Sequence, residues 1–72
     1  MTSIENLPKQ FGEKVRKERT RLGISQEKLA LSSGLDRTYI SGIERGRRNP
    51  SLKNIGRIAA ALKLDLKDLL SL

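Results

Sequence analysis

The chain has 72 residues, which makes one domain near the lower size limit for an independent hydrophobic core. It contains no cysteine and no histidine, which excludes a disulfide framework, a thiolate metal site and the commonest general base. Its 15 Lys and Arg against 8 Asp and Glu give a net charge of +7, which favours a polyanionic partner, nucleic acid first.

The first predicted helix covers residues 8–22. Pro8 suits the first turn of a helix, where a missing N–H has no partner to lose. Phe11 and Val15 lie four residues apart on one face, which we expect to be buried. Gly23 follows the last residue and is typical of a helix C-terminus.

The second and third predicted helices cover residues 26–33 and 37–45. Ser25 and Asp36 stand immediately before them and are both favoured N-cap residues. Gly34 lies in the short connection and suits a turn that needs positive φ. Two helices this short favour a steep crossing over parallel packing.

The residues around this turn have the spacing of a helix-turn-helix. Ala30 is small where the two backbones approach, and Ile40 and Ile43 supply buried contacts on the third helix. An ordinary αα-hairpin in a small helical bundle is the alternative, because each of these residues is individually common at such positions.

The fourth and fifth predicted helices cover residues 52–62 and 66–71. Ser51 and Asp65 are their predicted N-caps. No segment alternates apolar and polar residues for long enough to predict a strand. The fold class is therefore all-α, with residues 1–72 forming a single domain.

The third helix has one apolar face and one face without any aliphatic side chain. With about 100° per residue, Ile40 and Ile43 lie opposite a surface that we call the outer face: Arg37, Thr38, Ser41, Gly42 and Arg45. Arg37 lies at the N-terminal end, which usually points at base edges, and its guanidinium can bond both acceptors of a guanine. Gly42 has no side chain, so the helix could lie close to DNA there. The predicted base contacts are Arg37, Thr38 and Ser41.

Other polar residues flank this face. Arg47 and Arg48 follow the helix end and could reach phosphates or an adjacent groove, although a solvated basic loop is the alternative. Arg45 could equally complement the helix dipole, and Tyr39 could be a half-buried core residue. The predicted backbone or flanking contacts are Gln26, Tyr39, Arg45, Arg47 and Arg48.

Glu44 is an acidic residue in a helix that should avoid phosphates. It lies near the buried side of the third helix. We predict a structural ion pair between Glu44 and Arg19 of the first helix.

The segments FGEKVRKERTRLGISQEKLA, YISGIERGRRNPSL and IAAALKL together resemble the Cro/repressor-type (XRE-like) helix-turn-helix family. The resemblance covers about residues 11–70 and is greatest to the controller proteins of restriction–modification systems. It implies a compact five-helix repressor-like domain, with the helix-turn-helix in helices two and three. It further implies a small dimeric autoregulator that binds a palindromic operator.

Carried over to this sequence, the resemblance implies a phosphate contact from Gln26 and base reading by Arg37 and Thr38. It places Tyr39 against the DNA backbone or against distorted DNA near the half-site, and Arg48 in the loop after the third helix. It also implies the internal pair of Arg19 and Glu44. Gly42 departs from relatives that carry a long polar side chain at that position.

Leucines are concentrated at the C-terminus, more than a core of this size encloses easily. A surplus apolar patch on a small domain often marks an interface. We therefore expect residues 62–72 to contribute to a C2 homodimer, with the recognition helices about 34 Å apart. The alternative is that the tail only closes the monomer core. The predicted interface residues are Leu62, Leu66, Leu69 and Leu70.

The sequence thus predicts a sequence-specific regulator of transcription that binds double-stranded DNA, with no cofactor, metal or small-molecule ligand. An antitoxin, a phage or plasmid repressor, and a protein-interaction module without specific DNA binding remain alternatives. An enzyme is excluded because no catalytic pair shares a face with a plausible pocket.

No apolar run approaches the roughly 20 residues of a membrane span, and the segment MTSIENLPKQ lacks the regions of a signal peptide. We expect a cytoplasmic, nucleoid-associated protein. Phe11 and Tyr39 are the only aromatic residues, too few for single-strand stacking platforms.

Overall fold

A computed structural model describes residues 3–72 of the chain, so the first two residues of the predicted domain lie outside it. A single 3₁₀ turn at Ile4–Asn6 precedes five α-helices: α1 (Leu7–Arg21), α2 (Gln26–Ser33), α3 (Arg37–Glu44), α4 (Leu52–Ala61) and α5 (Leu66–Leu69). No strand occurs within residues 3–72. The predicted all-α class with five helices is confirmed.

The helix ends follow from local chemistry. Ser25, Asp36 and Ser51 each accept a hydrogen bond from a backbone N–H of the first turn, at 3.0, 3.0 and 3.1 Å. These bonds satisfy donors that have no partner inside the helix. Gly23 and Gly34 both have φ of +71° and reverse the chain after α1 and α2.

The fifth helix is shorter than the predicted 66–71. The N–H of Leu70 still bonds the carbonyl of Leu66 at 3.0 Å, but that of Ser71 bonds Asp68 at 3.3 Å. The bond from Ser71 spans three residues instead of four, so the last turn is narrower than an α-helical turn and α5 ends at Leu69.

A single core lies between the helices. α3 packs against both α1 and α2, while α4 packs against α2 and carries α5. The buried apolar side chains are Phe11, Val15, Leu29, Ala30, Ile40, Ile43, Ile58, Ala59, Leu62 and Leu69.

Two of the predicted interface residues belong to this core. Leu62 and Leu69 are 0 % exposed because the short α5 folds back onto the apolar face of α4. Neither side chain can reach a partner, so the prediction that they line a dimer interface was wrong. Leu66 and Leu70 remain 40 % and 41 % exposed.

The backbones of α1 and α3 approach closely at Gly12, a residue that the sequence did not single out as important. A Cβ at Gly12 would lie 2.1 Å from the carbonyl oxygen of Ile43 and 2.9 Å from that of Glu44. Only glycine permits this crossing, because the obstructing atoms are backbone. A glycine in the middle of an otherwise continuous helix was the available sign.

We predict opposite effects for alanine at two helical glycines. Gly12→Ala should lower the free energy of unfolding by about 1–3 kcal/mol or more, because the methyl group overpacks the crossing. Gly56→Ala, in α4 with no atom within 4 Å of the added Cβ, should raise it by about 0.4–1 kcal/mol. Urea unfolding at one fixed protein concentration measures both. A Gly12→Ala protein as stable as the parent would contradict the crossing geometry.

Candidate DNA interface

The α2–α3 unit is held by its connecting turn and by α2 packing. The N–H of Leu35 bonds the carbonyl of Ala30 at 3.0 Å, which closes the turn around Gly34. Ala30 is buried, as its predicted place at a close approach requires. The outer face of α3 is therefore presented on a fixed support.

The N-terminal end of the outer face is open. Arg37 and Thr38 are exposed, and Ser41 is half-buried one turn further on. The Thr38 hydroxyl donates to the Asp36 carboxylate, which also accepts from the Thr38 N–H at 3.0 Å. These bonds from Thr38 lower the pKa of Asp36. The Thr38 hydroxyl proton is thus engaged, and its oxygen remains free to accept a bond.

Arg19 and Glu44 form the ion pair expected from the sequence. Arg19 Nε lies 2.6 Å from Glu44 Oε2, and Nη2 lies 3.0 Å from Oε1. The side chains are only 15 % and 3 % exposed. This two-pronged contact with Glu44 raises the pKa of Arg19, which therefore stays charged although partly desolvated. Arg19 Nη1 also donates to the carbonyl of Ile24 at 2.8 Å.

Gln26 turns partly inward. Its Nε2 donates to Glu44 Oε1 at 3.0 Å, so one of its two amide hydrogens is used inside the protein. The predicted phosphate contact is left with the second hydrogen and the free backbone N–H groups at the start of α2. Glu44 of α3 consequently connects α1, α2 and α3.

We predict that Glu44→Ala lowers the free energy of unfolding by about 3–5 kcal/mol, because it leaves Arg19 buried without its partner. Arg45→Ala, at the neighbouring exposed position, should change it by no more than about 0.5 kcal/mol. Thermal and urea unfolding of the two variants measure the difference. Equal stability of the two variants would remove the structural role of the pair.

The chain reverses immediately after α3. Gly46 has φ of +74°, and a Cβ there would lie 2.8 Å from Lys9 Cα of α1. The reversal places three exposed arginines beside the recognition helix: Arg45, Arg47 and Arg48. Arg45 Nε donates to the carbonyl of Ser41 at 3.4 Å, which ties its side chain loosely to the outer face.

Tyr39 is half-buried, as in the core role considered for it. Its ring is half-buried and packs against the core. Its hydroxyl accepts a hydrogen bond from Asn54 Nδ2 at 3.2 Å, which connects α3 to α4. The Arg48 guanidinium carbon lies 5.8 Å from the ring centroid. The Asn54 contact was not predicted, since nothing in the spacing connects these positions.

Gly42 is covered by a side chain from outside α3. It is buried, and the atoms nearest to its missing side chain all belong to Arg48. A close approach of α3 to DNA at Gly42 therefore requires the Arg48 side chain to move aside.

Within residues 3–72, no three acidic side chains form a group that could hold a metal ion.

None of the described helices combines the length and the apolar character needed to cross a bilayer.

Known proteins similar to this chain include several controller proteins. The helix-turn-helix family model matches residues 15–69. The control protein C.BamHI of Bacillus amyloliquefaciens is 57 % identical over 61 residues, which cover 83 % of this chain and 75 % of that protein. The restriction–modification controller protein C.AhdI of Aeromonas hydrophila is 50 % identical with a TM-score of 0.85, covering 86 % of this chain and 94 % of that one.

A third similar structure contains DNA. The restriction–modification controller protein C.Esp1396I has been solved as a tetramer in complex with its natural 35 base-pair operator. It is 38 % identical to this chain with a TM-score of 0.84, over 96 % of this chain and 88 % of that one.

Proposed function

We infer the function from the premise that this chain belongs to the helix-turn-helix family. We propose that it is a sequence-specific regulator of transcription that binds double-stranded DNA, and specifically a dimeric controller that binds an inverted-repeat operator. The carrying observation is the outer face of α3, which is exposed at Arg37 on a helix fixed to α1 and α2 by Glu44. The operator complex of C.Esp1396I supports the proposal.

The outer face of α3 is proposed to enter the major groove with its N-terminal end leading. Arg37 can bond O6 and N7 of a guanine together, and Thr38 can accept a bond from a base or offer its methyl group to thymine. Ser41 follows one turn later and is the third proposed base contact. No step requires a cofactor, and the chain acts by binding rather than by catalysis.

Phosphate contacts are proposed to fix the position of this helix on the duplex. The net charge of +7 supplies the general attraction. The proposed backbone and flanking contacts are Gln26, Tyr39, Arg45, Arg47 and Arg48. A cytoplasmic, nucleoid-associated location follows from this role.

The proposed dimer uses an apolar groove in place of the buried leucines. The groove has a volume of about 270 Å³ and lies between the N-terminal turn and the C-terminus. Ile4, Leu7, Leu70 and Leu72 line it, and each of these side chains is at least 40 % exposed. A second copy would cover this surface and place two recognition helices about 34 Å apart.

We predict that Leu70→Glu raises the dimer dissociation constant at least about tenfold, because it puts a charge into an apolar interface. Leu31→Glu is the matched control, since Leu31 is 79 % exposed on α2 and does not line the groove. Sedimentation equilibrium measures both variants. A parent protein that is monomeric at high micromolar concentration would remove the dimer.

Arginines at different places should affect DNA binding differently. Arg37→Ala should weaken binding by about 1–3 kcal/mol and relax preference at one base position of each half-site. Arg47→Ala should weaken binding to all sequences about equally and reduce the salt slope by about 1 for each subunit bound. Fluorescence titrations at several salt concentrations, with matched and scrambled duplexes, separate the two. An unchanged base preference in Arg37→Ala would show that another residue reads that base.

Selection of bound duplexes from a random library tests the function itself. We expect an inverted repeat with guanine-containing half-sites about one helical turn apart. If no sequence is enriched and binding vanishes at moderate salt, the chain is a basic domain without specific DNA recognition. The protein-interaction alternative would then take precedence.

A further inference from the structure

Gly42 forms a seat for the side chain of Arg48. A Cβ at Gly42 would lie 2.8 Å from Arg48 Cγ, 3.4 Å from Nε and 3.6 Å from Cδ. Gly42 lies on the polar side of α3, yet it is buried. Its burial and these contacts describe one arrangement, in which the Arg48 stem occupies the space of a residue-42 side chain.

The backbone after α3 brings Arg48 back over the helix. The N–H of Arg47 bonds the carbonyl of Gly42 at 2.8 Å, so the chain doubles back over the last turn. Gly46 makes this reversal with φ of +74° while packed against Lys9, where a Cβ would be 2.8 Å from backbone. The reversal is therefore set by conformation and by packing, and Arg48 returns to the outer face as a consequence.

Tyr39 lies beneath the end of the Arg48 side chain. The guanidinium carbon is 5.8 Å from the ring centroid, within the range of a cation–π contact. The ring is itself held, because Asn54 of α4 donates to its hydroxyl at 3.2 Å. The aliphatic part of the Arg48 side chain thus packs over Gly42, and its guanidinium lies over the ring of Tyr39.

We propose that Gly42 is a specificity-determining position that acts through Arg48. The absence of a side chain at 42 lets a residue from outside the helix supply the cationic group at this step of the recognition face. Any side chain at 42 displaces that group. Gly42 is a positioning residue, and the inference rests on the proposed DNA-binding function for its readout.

The pair can be tested with Gly42→Ala, Arg48→Ala and the double variant. The probe is the duplex that the parent protein selects from a random library, titrated by fluorescence anisotropy at one salt concentration. Each single substitution should weaken binding by about tenfold, as expected for one preorganised arginine contact. The double variant should bind no more than about twofold more weakly than Arg48→Ala alone, since both changes remove the same contact.

Folding is not expected to confuse the result. The methyl group of Gly42→Ala meets only the flexible Arg48 side chain, and alanine is a better helix former than glycine. Gly56→Ala controls for that helical effect and should leave DNA binding unchanged. Tyr39 is the only tyrosine, so its ring resonances in NMR spectra report the seat directly. They should shift similarly in Gly42→Ala and Arg48→Ala.

The possible results distinguish failure of the proposed DNA-binding function from failure of the proposed role of Gly42. A parent protein that selects no sequence overturns the proposed function, whatever the seat does to the Tyr39 resonances. Specific parental binding that is unaffected by Gly42→Ala overturns the inference alone. A further loss clearly greater than about twofold on adding Gly42→Ala to Arg48→Ala also overturns it, because residue 42 would then contact DNA itself.

Discussion

The arrangement of α1, α2 and α3 depends on the hydrogen bonds that the Glu44 carboxylate accepts. It takes two bonds from Arg19 of α1 and one from Gln26 of α2, while belonging to α3 itself. Apolar packing alone would allow short helices such as α2 and α3 to slide or rotate, because dispersion contacts are not directional. Charged, directional bonds from two other helices fix the rotation of α3. The outer face therefore keeps one orientation before any DNA is present.

The Gly12 crossing contributes the complementary constraint. It sets how deeply α1 and α3 approach, at the same turn of α3 that carries Glu44. One contact fixes rotation by attraction and the other fixes distance by steric exclusion. Both lie in the last turn of α3, whereas the exposed Arg37 lies at its N-terminal end, so the contacts that hold the helix and the proposed base contact occupy opposite ends of the same short helix.

Much of this could be predicted from the sequence because it is encoded locally. The caps at Ser25 and Asp36 and the glycine turns mark the ends of α2 and α3, and the spacing of Ile40 and Ile43 identifies the buried side. Charge logic found the partner of Glu44. The features that could not be predicted depend on how separate segments of the chain pack against one another. Leu69 and Leu70 are the same residue type in the same short segment, and only the return of α5 onto α4 buries one and exposes the other.

The position of Arg48 over Gly42 could not be predicted for the same reason. A helical projection places residue 42 on the polar side, but it does not show that the loop after Gly46 brings another side chain back over it. That outcome requires the reversal, the packing on Lys9 and the position of Tyr39 together. In the same way, the hydrogen bond from Asn54 depends on where α4 lies relative to α3 and leaves no periodic trace in the sequence.

The carboxylate that begins the recognition helix has a consequence for what this protein can sense. Bonds from Thr38 hold the pKa of Asp36 below its usual range, so the cap is present above that range and is lost only as the pH falls through the lowered value. The sequence contains no histidine and no cysteine, the residue types whose ordinary pKa values lie closest to neutrality. The outer face therefore carries neither of the side chains that proteins most often use to sense acidity or oxidation. Occupancy of a DNA site would then depend on the concentration of the protein and on the ionic strength.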